Sequence, residues 1–344
     1  MVRFASLTFA ALFVLACFAA GCQVPVFRYA LERWAPADYL VRIAPSPSGL
    51  SEAEKTIVES LRGARSDAET SANVELEIAA GAERSELALL YPGKPREAAR
   101  APVWQAPLTA ESVRGLLDSP ARQELRKRLL AGESAVWVLV ESGDRAKDDA
   151  AFSALNDALG EAAASLKLPD GVVTPSQSTG RANENAEVLR TDLPLRIAFS
   201  TMRVRRDDAR EAVLLAMLTH VEDDLATYAA EPMAFPVFGR GRVLEPLIGR
   251  GIHKANVIEH ATYLCGACSC EVKDQNPGID LLIAANWAPV DTTPKVEIIR
   301  IAPGTPAPAA VEKTLQFRGI PIAAAALGLA AVLVAWLRRG APGR

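Results

Sequence analysis

The chain has 344 residues and a formal net charge of −3. This charge balance excludes nucleic-acid binding through a basic surface, and no mixed aromatic and basic stretch suits single-stranded nucleic acid. Half of the residues are hydrophobic, which is ample for a core, and the length leaves room for two domains besides the terminal segments.

Residues 1–21 have the features of an export signal. Arg3 supplies a short positive region, an apolar run extends from Phe4 to Ala16, and small residues precede Cys22. The sequence Ala-Ala-Gly-Cys at 19–22 resembles a bacterial lipobox, whose cysteine becomes the lipidated first residue of the mature protein. Cys22 is therefore the predicted lipid site, with Cys17 as a weaker second candidate. A signal cleaved without lipidation and an uncleaved N-terminal helix are the alternatives.

The first part of the mature chain, residues 22–168, alternates strand and helix signals. Gln23–Trp34 favours a strand because apolar side chains recur at period two, although a short helix also fits. Ser51 and Glu54 form a capping box, and Ala135–Val140 is apolar on both faces, as in a covered central strand. The other predicted elements are strands at 39–43, 74–78 and 87–91 and helices at 52–63, 109–117, 120–131 and 148–166. This order predicts an α/β domain that looks thioredoxin-like, although the thioredoxin thiol motif does not occur in this half.

Residues 169–192 are polar and lack periodicity, so they form the predicted linker between two domains. A second small α/β domain, for which the same thioredoxin-like resemblance is expected, follows at 193–300. It has strand signals at 195–199 and 279–285 and an apolar run at 213–218 that fits either a helix interior or a buried strand. An apolar run followed by an acidic pair occurs at both 136–149 and 214–224, which is a hint of duplicated units.

The C-terminal part predicts a membrane anchor. A Pro- and Ala-rich linker at 301–318 precedes an uncharged stretch at 319–337, which as a helix would cover about 28 Å, close to the thickness of the bilayer core. The arginines of the tail, 338–344, place that end in the cytoplasm. A buried core helix is the alternative for 319–337. The expected location is the bacterial cytoplasmic membrane, with the bulk of the chain facing the periplasm or the cell exterior.

Three stretches of the expected exterior resemble a group of uncharacterised bacterial membrane-anchored proteins. These are the opening at 23–34, the pattern SPARxEL…LLxGESAVW at 119–137, and CSC…NPG at 268–278. The resemblance implies a lipoprotein-like topology in the cell envelope and brings no established activity.

The closest grouping of potentially reactive or metal-binding side chains is the cluster of Cys265, Cys268 and Cys270. The five cysteines occupy only two places, so they are not spread along the chain as a disulfide framework would be. Three thiols this close can converge on one soft ion, with His260 as the fourth ligand, and the ions that such a set favours are Zn or Cu(I). A loop-pinning disulfide and a redox Cys-x-x-Cys are the alternatives. His253 is a spare ligand.

Two other groups carry weaker signals. His220 with the acidic run at 222–224 suits hard-ion binding or acid–base work, although acidic runs are usually solvated. Gly239-Arg-Gly241-Arg suits an anion held by backbone N–H groups, although a turn explains it as well.

The sequence shows no recognisable catalytic motif, because zinc-protease, nucleophile-elbow and Walker motifs do not occur. The sequence favours a membrane-anchored accessory or binding protein without catalytic activity that serves a transporter or another membrane complex. The alternative is a thiol-dependent metal or redox protein.

Overall fold

A computed structural model describes residues 22–67, 69–92, 102–178, 186–268 and 272–290. The predicted signal segment, C-terminal linker, span and tail lie outside these ranges, as does Cys270. Within the described ranges, none of the helices combines the length and the apolar character needed to cross a bilayer. The described residues up to Val290 belong to one compact unit.

The fold mixes helices and strands, as the α/β prediction requires. The α-helices are α1 (Val26–Arg33), α2 (Glu52–Ser66), α3 (Ala110–Leu117), α4 (Pro120–Leu130), α5 (Arg145–Ser165), α6 (Ala212–Thr219) and α7 (Lys254–Cys265). The strands are β1 (Tyr39–Ala44), β2 (Val74–Ile78), β3 (Glu86–Leu90), β4 (Trp104–Pro107), β5 (Ala135–Val140), β6 (Val172–Val173), β7 (Glu187–Val188), β8 (Phe199–Val204), β9 (Met233–Phe238), β10 (Arg242–Val243), β11 (Leu247–Ile248) and β12 (Ile279–Asp280). Short 3-10 helices lie at Pro175–Gln177, Ala209–Glu211, Leu225–Tyr228, Gly249–Gly251 and Lys273–Gln275.

The first sheet has the strand order β2-β1-β3-β4. Strand β1 is parallel to β2 and antiparallel to β3, and β3 is antiparallel to β4. Side chains of β1 alternate between buried and half-buried positions, the period expected of a strand with one face in the core. Helix α2 joins the parallel pair, and its start is fixed by the predicted capping box of Ser51 and Glu54.

The second sheet has six strands, ordered β12-β10-β9-β5-β8, with β11 paired to β9. All residues of β5 are buried, which confirms the predicted central strand. Strand β5 is parallel to β8 and antiparallel to β9, and β9 is antiparallel to β10. Helix α5 follows β5 and helix α7 follows the short β10 and β11, so this sheet repeats the connectivity of the first with one added helix, α6, between β8 and β9.

This repeat does not coincide with the predicted boundary. Residues 169–192 fall between α5 and β8, and the strands on either side of them pair in one sheet. The change from one sheet to the other occurs instead between α3 and β5. The sequence similarity between 136–149 and 214–224 does not mark the repeat either, because the first segment holds β5 and the second lies in and after α6.

The two sheets share an apolar core. Val41 and Leu89 of the first sheet belong to the same buried cluster as Val136 and Phe235 of the second. The ambiguous run at 213–218 is the helix α6, which contacts β4 and α3 and contributes Val213, Leu214 and Met217 to the same cluster. The Tyr91 hydroxyl donates a hydrogen bond to a carbonyl of α6, that of Met217.

The strand favoured for 23–34 is wrong, because residues 26–33 form helix α1. Phe27, Tyr29 and Leu31 are buried, but so are the neighbouring Arg28 and Glu32, with both side chains fully shielded from solvent. Residues Val26 to Glu32 of this helix are all buried. The two buried charges neutralise each other through an i, i+4 ion pair of 2.9 Å between Arg28 Nε and Glu32 Oε1. A periodicity argument treats charged positions as exposed, and here they are not.

The strands expected at 195–199 and 279–285 are also corrected. Only Phe199 of the first range is in a strand, and only Ile279 and Asp280 of the second. Residues 281–285 are buried without strand pairing, where Leu281 N donates to the Gly241 carbonyl and Ala285 N to that of Ser71.

Candidate functional site

The predicted thiol cluster lies at the end of α7. Cys265 is the last residue of that helix and is buried, and Cys268 is buried in the turn that follows. Burial raises the pKa of the Cys265 thiol to about 12. A thiol with such a pKa is protonated at neutral pH, so Cys265 is a poor nucleophile in this environment.

The structure brings the predicted lipid site next to this cluster. Pro25 and Ala267 form an antiparallel bridge, and Cys268 N donates to the Val24 carbonyl at 2.9 Å. The Cys22 thiol donates to Glu187 Oε1 at 3.3 Å. Burial, with Glu187 and Cys268 nearby, raises the pKa of Cys22 to about 12, although a hydrogen bond from the Val24 backbone acts in the opposite direction.

His260 lies elsewhere, on the face of α7 that packs against β5. Its ring centroid is 6.0 Å from that of Trp137, and its Nδ1 is 3.0 Å from the Asn256 carbonyl oxygen. Its Nε2 has no hydrogen-bond partner and lies 3.9 Å from Glu245 Oε1. In the part of the chain that the structure describes, no three His, Cys, Asp or Glu side chains are grouped so that they could hold a metal ion.

The two weaker candidates have structural roles or are solvated. His220 is exposed, with Nδ1 2.7 Å from the Ala216 carbonyl oxygen, and the acidic residues at 222–224 are exposed as well. In the Gly-Arg-Gly-Arg turn, Arg240 is buried and its Nε donates to the Leu31 carbonyl at 2.8 Å. Arg242 pairs with Asp280 at 3.3 Å, so both guanidinium groups are engaged within the fold.

A charged cleft of about 630 Å³ opens where β5 and β8 end, a place that the sequence did not single out. Parallel strands present their carboxyl ends together, and such ends are a common location for ligands in α/β sheets. The lining residues are Glu141, Ser142, Gly143, Arg145, Asp148, Arg203, Arg205, Arg206 and Asp207.

Asp148 organises the loop that forms one wall of the cleft. This side chain is buried near the start of α5 and accepts hydrogen bonds from Ser142 N at 2.7 Å, Ser142 Oγ at 2.8 Å and Gly143 N at 3.1 Å. The carboxylate occupies the place where these backbone donors would hold an external anion. An anionic ligand must therefore be bound by the arginines of the cleft and not by the loop.

Most cleft arginines are paired with carboxylates. Arg203 lies 2.5 Å from Glu141 and 2.7 Å from Asp149, and Arg205 lies 2.7 Å from Asp207. These exposed pairs are screened by water and add little stability, so a ligand can compete for them at low cost.

Arg206 differs from its neighbours. Its Nε donates to the Glu141 carbonyl at 3.2 Å and its Nη2 to the Glu231 carbonyl at 3.4 Å. Within the described ranges, Arg206 forms no ion pair with a carboxylate. Burial lowers its pKa, an effect that the charge of Asp148 opposes. The lining of the cleft therefore includes a partly desolvated cation whose hydrogen-bond partners are neutral.

The signal for this cleft is visible in the sequence only after the fold is known. Glu141-Ser-Gly-Asp follows the apolar strand β5, Arg203 is the fifth residue of β8, and Arg205 and Arg206 follow β8. Without the pairing of β5 with β8, both segments look like ordinary polar turns.

Comparison with protein-family models, with curated proteins and with solved structures found no match to this chain.

Proposed function

We propose that this chain is an extracytoplasmic binding protein of the bacterial envelope, without catalytic activity, that serves a transporter or another membrane complex. It is held by a lipid on Cys22 and by the C-terminal span at 319–337. The sequence supports the anchors, and the cleft at the ends of β5 and β8 supplies the binding site.

The observation that carries this proposal is Arg206. A cation that is partly desolvated and bound only to carbonyls gains most from an incoming anion, because charge-assisted hydrogen bonds are stronger than neutral ones. The cleft is wide and polar, which suits a side chain or loop of a protein partner. Its ligand is therefore an anionic group, a carboxylate on the partner protein.

Each sheet of this chain is assigned a thioredoxin-like fold in this proposal. The support is the connectivity that the two sheets share, in which a strand, a helix and a parallel strand are followed by two antiparallel strands and a helix. The second sheet adds β6 and β7 after α5, and α6 between β8 and β9. The loops that follow β1 and β5, at 45–51 and 141–144, contain no cysteine. Two such units without thiols at these loops are suited to binding.

The test places a photo-crosslinking amino acid at Ser142, on the rim of the cleft, in the full chain in its native membrane. A partner crosslinked there should be captured about tenfold less when Arg206→Met removes the charge and keeps most of the stem, since a charged hydrogen bond contributes about 1.5 kcal/mol or more. Arg62→Met is the matched control, because Arg62 is exposed on α2 and, among the residues that the structure describes, pairs only with Glu59. Capture that is equal in all three proteins, or no capture at Ser142, would contradict the proposal.

The alternative function is a thiol-dependent metal-binding (Zn or Cu) or redox protein that uses Cys265, Cys268 and Cys270, with His260. The observation in its favour is the position of Cys22 beside Cys268, which adds a thiol to the cluster. The raised pKa values of Cys22 and Cys265 weigh against the redox form of this alternative, because the thiolate is the reactive species. Replacing the three cluster cysteines by serine separates the two functions: loss of function with an intact fold supports the alternative, and lower stability alone supports a structural role.

A further inference from the structure

The predicted lipid site has no flexible tether. Gln23 N donates to Glu187 Oε2 at 2.7 Å, Val24 is fully buried, and helix α1 begins at Val26. A lipid on Cys22 would therefore be attached directly to the folded body. The direction in which the acyl chains leave is set by the fold.

The described chain ends on the same side of the molecule. Arg240 donates from Nε to the Leu31 carbonyl and from Nη2 to the carbonyls of Glu32 and Val290. Val290, the last described residue, thus lies against the end of α1. The segment that leads to the predicted span begins near the helix that follows the lipid site.

This end is opposite to the cleft. Gly239, just after β9, packs so closely on α1 that a Cβ there would lie 2.7 Å from the Ala30 Cβ. Val237 pairs with Val136, so α1 lies at the amino end of β5, whereas the cleft lies at its carboxyl end. The six residues of β5 separate the two ends by about 20 Å.

Exposed large apolar side chains occur at both ends. Val188 (43% exposed) follows Glu187, which holds Gln23, and Val272 (53%) precedes Lys273, whose Nζ donates to the Ala35 carbonyl just after α1. The anchor end thus carries two exposed apolar side chains, each next in sequence to a residue that contacts the start of the chain or the end of α1.

Two equally exposed apolar side chains provide an internal comparison. Ile78 (48%) pairs with Ile43 at the far end of β1, and Tyr228 (43%) comes shortly before Met233, which pairs with Val140 at the carboxyl end of β5. They match Val188 and Val272 in exposure and differ from them in position.

We infer that the body rests directly on the phospholipid bilayer through the face that carries Cys22, Val188 and Val272, with the arginine cleft pointing away from the membrane. The occupant of this face is lipid because the acyl chains leave the fold there and the exposed valines lie beside them. This inference rests on the lipid anchor of the proposed function. It adds an orientation that the anchor alone does not require.

The experiment replaces Val188, Val272, Ile78 and Tyr228, one at a time, by p-benzoylphenylalanine in the full chain. The envelopes are irradiated, and the mass of each purified protein is searched for phospholipid adducts. The mass of the N-terminal peptide from the same samples is measured to establish whether Cys22 carries a lipid. Adducts at positions 188 and 272, at least fivefold more abundant than at 78 and 228, are expected.

The outcomes separate the orientation from the anchor. If Cys22 is lipidated, three results overturn the orientation and leave the proposed anchor standing. These are equal lipid adducts at all four positions, no adducts at any position, and protein instead of lipid at positions 188 and 272. An unmodified Cys22 together with no adducts overturns both. An unmodified Cys22 with adducts only at 188 and 272 supports the membrane face and overturns the lipid anchor.

Discussion

Glu32→Gln is the substitution that most directly tests how the chain start is fixed to the body. Glu32 faces Arg28 at 2.9 Å, and neither side chain has any exposure. Glu32 also accepts hydrogen bonds from Arg190 N at 2.8 Å, Thr191 N at 3.2 Å and the Thr191 hydroxyl at 3.0 Å. Arg28 donates to Thr191 and to the Leu193 carbonyl. The pair therefore joins α1 to residues 190–193.

The expected cost follows from these contacts. Glu32→Gln preserves the shape but leaves the buried Arg28 charge without its counterion, which typically costs about 3–5 kcal/mol. Desolvation already lowers the pKa of Arg28, and Glu32 opposes that effect. Since a domain is stabilised by only about 5–15 kcal/mol in total, we expect a loss of roughly a fifth or more of the free energy of unfolding.

The assay is urea unfolding of the full chain in detergent, followed by tryptophan fluorescence. Glu59→Gln is the control, because its pair with Arg62 is also within one helix but is exposed, and it should cost less than about 0.5 kcal/mol. The double variant Arg28→Met/Glu32→Gln should lose less than the sum of the single variants. A loss below about 1 kcal/mol for Glu32→Gln would refute the reasoning.

Two further predictions concern a close backbone contact and a buried thiol. Gly239→Ala should lower the free energy of unfolding by about 2 kcal/mol or more, because φ is +59° and the new methyl group meets Ala30. The control is Gly160→Ala, in α5 with open space around it, which should raise the free energy of unfolding by up to about 1 kcal/mol. Equal effects of the two substitutions in urea unfolding would contradict this prediction. The pKa of Cys265 is about 12 in the folded protein against 9.0 as its ordinary value, so this thiol ionises at lower pH in the unfolded chain. The contribution of the neutral thiol to the free energy of unfolding is therefore complete below pH 9 and is lost between pH 9 and 12. The urea midpoint should thus fall less between pH 8 and 10.5 in Cys265→Ala than in the unchanged protein, and an identical fall would show that this thiol does not contribute.

Local signals predicted several elements well. The six apolar residues of β5 have no polar member, which only a strand covered on both faces accommodates, and the capping box at Ser51 set the start of α2. These predictions succeed because the deciding interactions lie within a few residues.

Long-range interactions explain what local signals missed. Arg28 and Glu32 look like a polar helix face or the outer positions of a strand, and their burial depends on Thr191 and Leu193, far along the chain. Residues 169–192 have the composition of a linker, yet they connect α5 to a strand of the same sheet. Composition indicates a lack of regular structure, and it does not indicate whether the flanking strands pair.

The candidate sites show the same limit. The cysteine cluster was visible because its members are close in sequence, but the adjacent Cys22 lies at the other end of the described chain. The cleft combines residues at the ends of two strands separated by a long helix. Charged residues in turns are common, so Arg206 became a candidate only through its burial and its neutral partners.

The most direct test of the proposed function is the mass of the full chain, purified from envelopes and measured under native and then denaturing conditions. The account predicts a chain that begins at Cys22, carries a lipid, and has the same mass before and after acidification. A chain with an unmodified Cys22 and a mass excess that disappears on acidification would contradict it, and would instead identify a metal-binding protein.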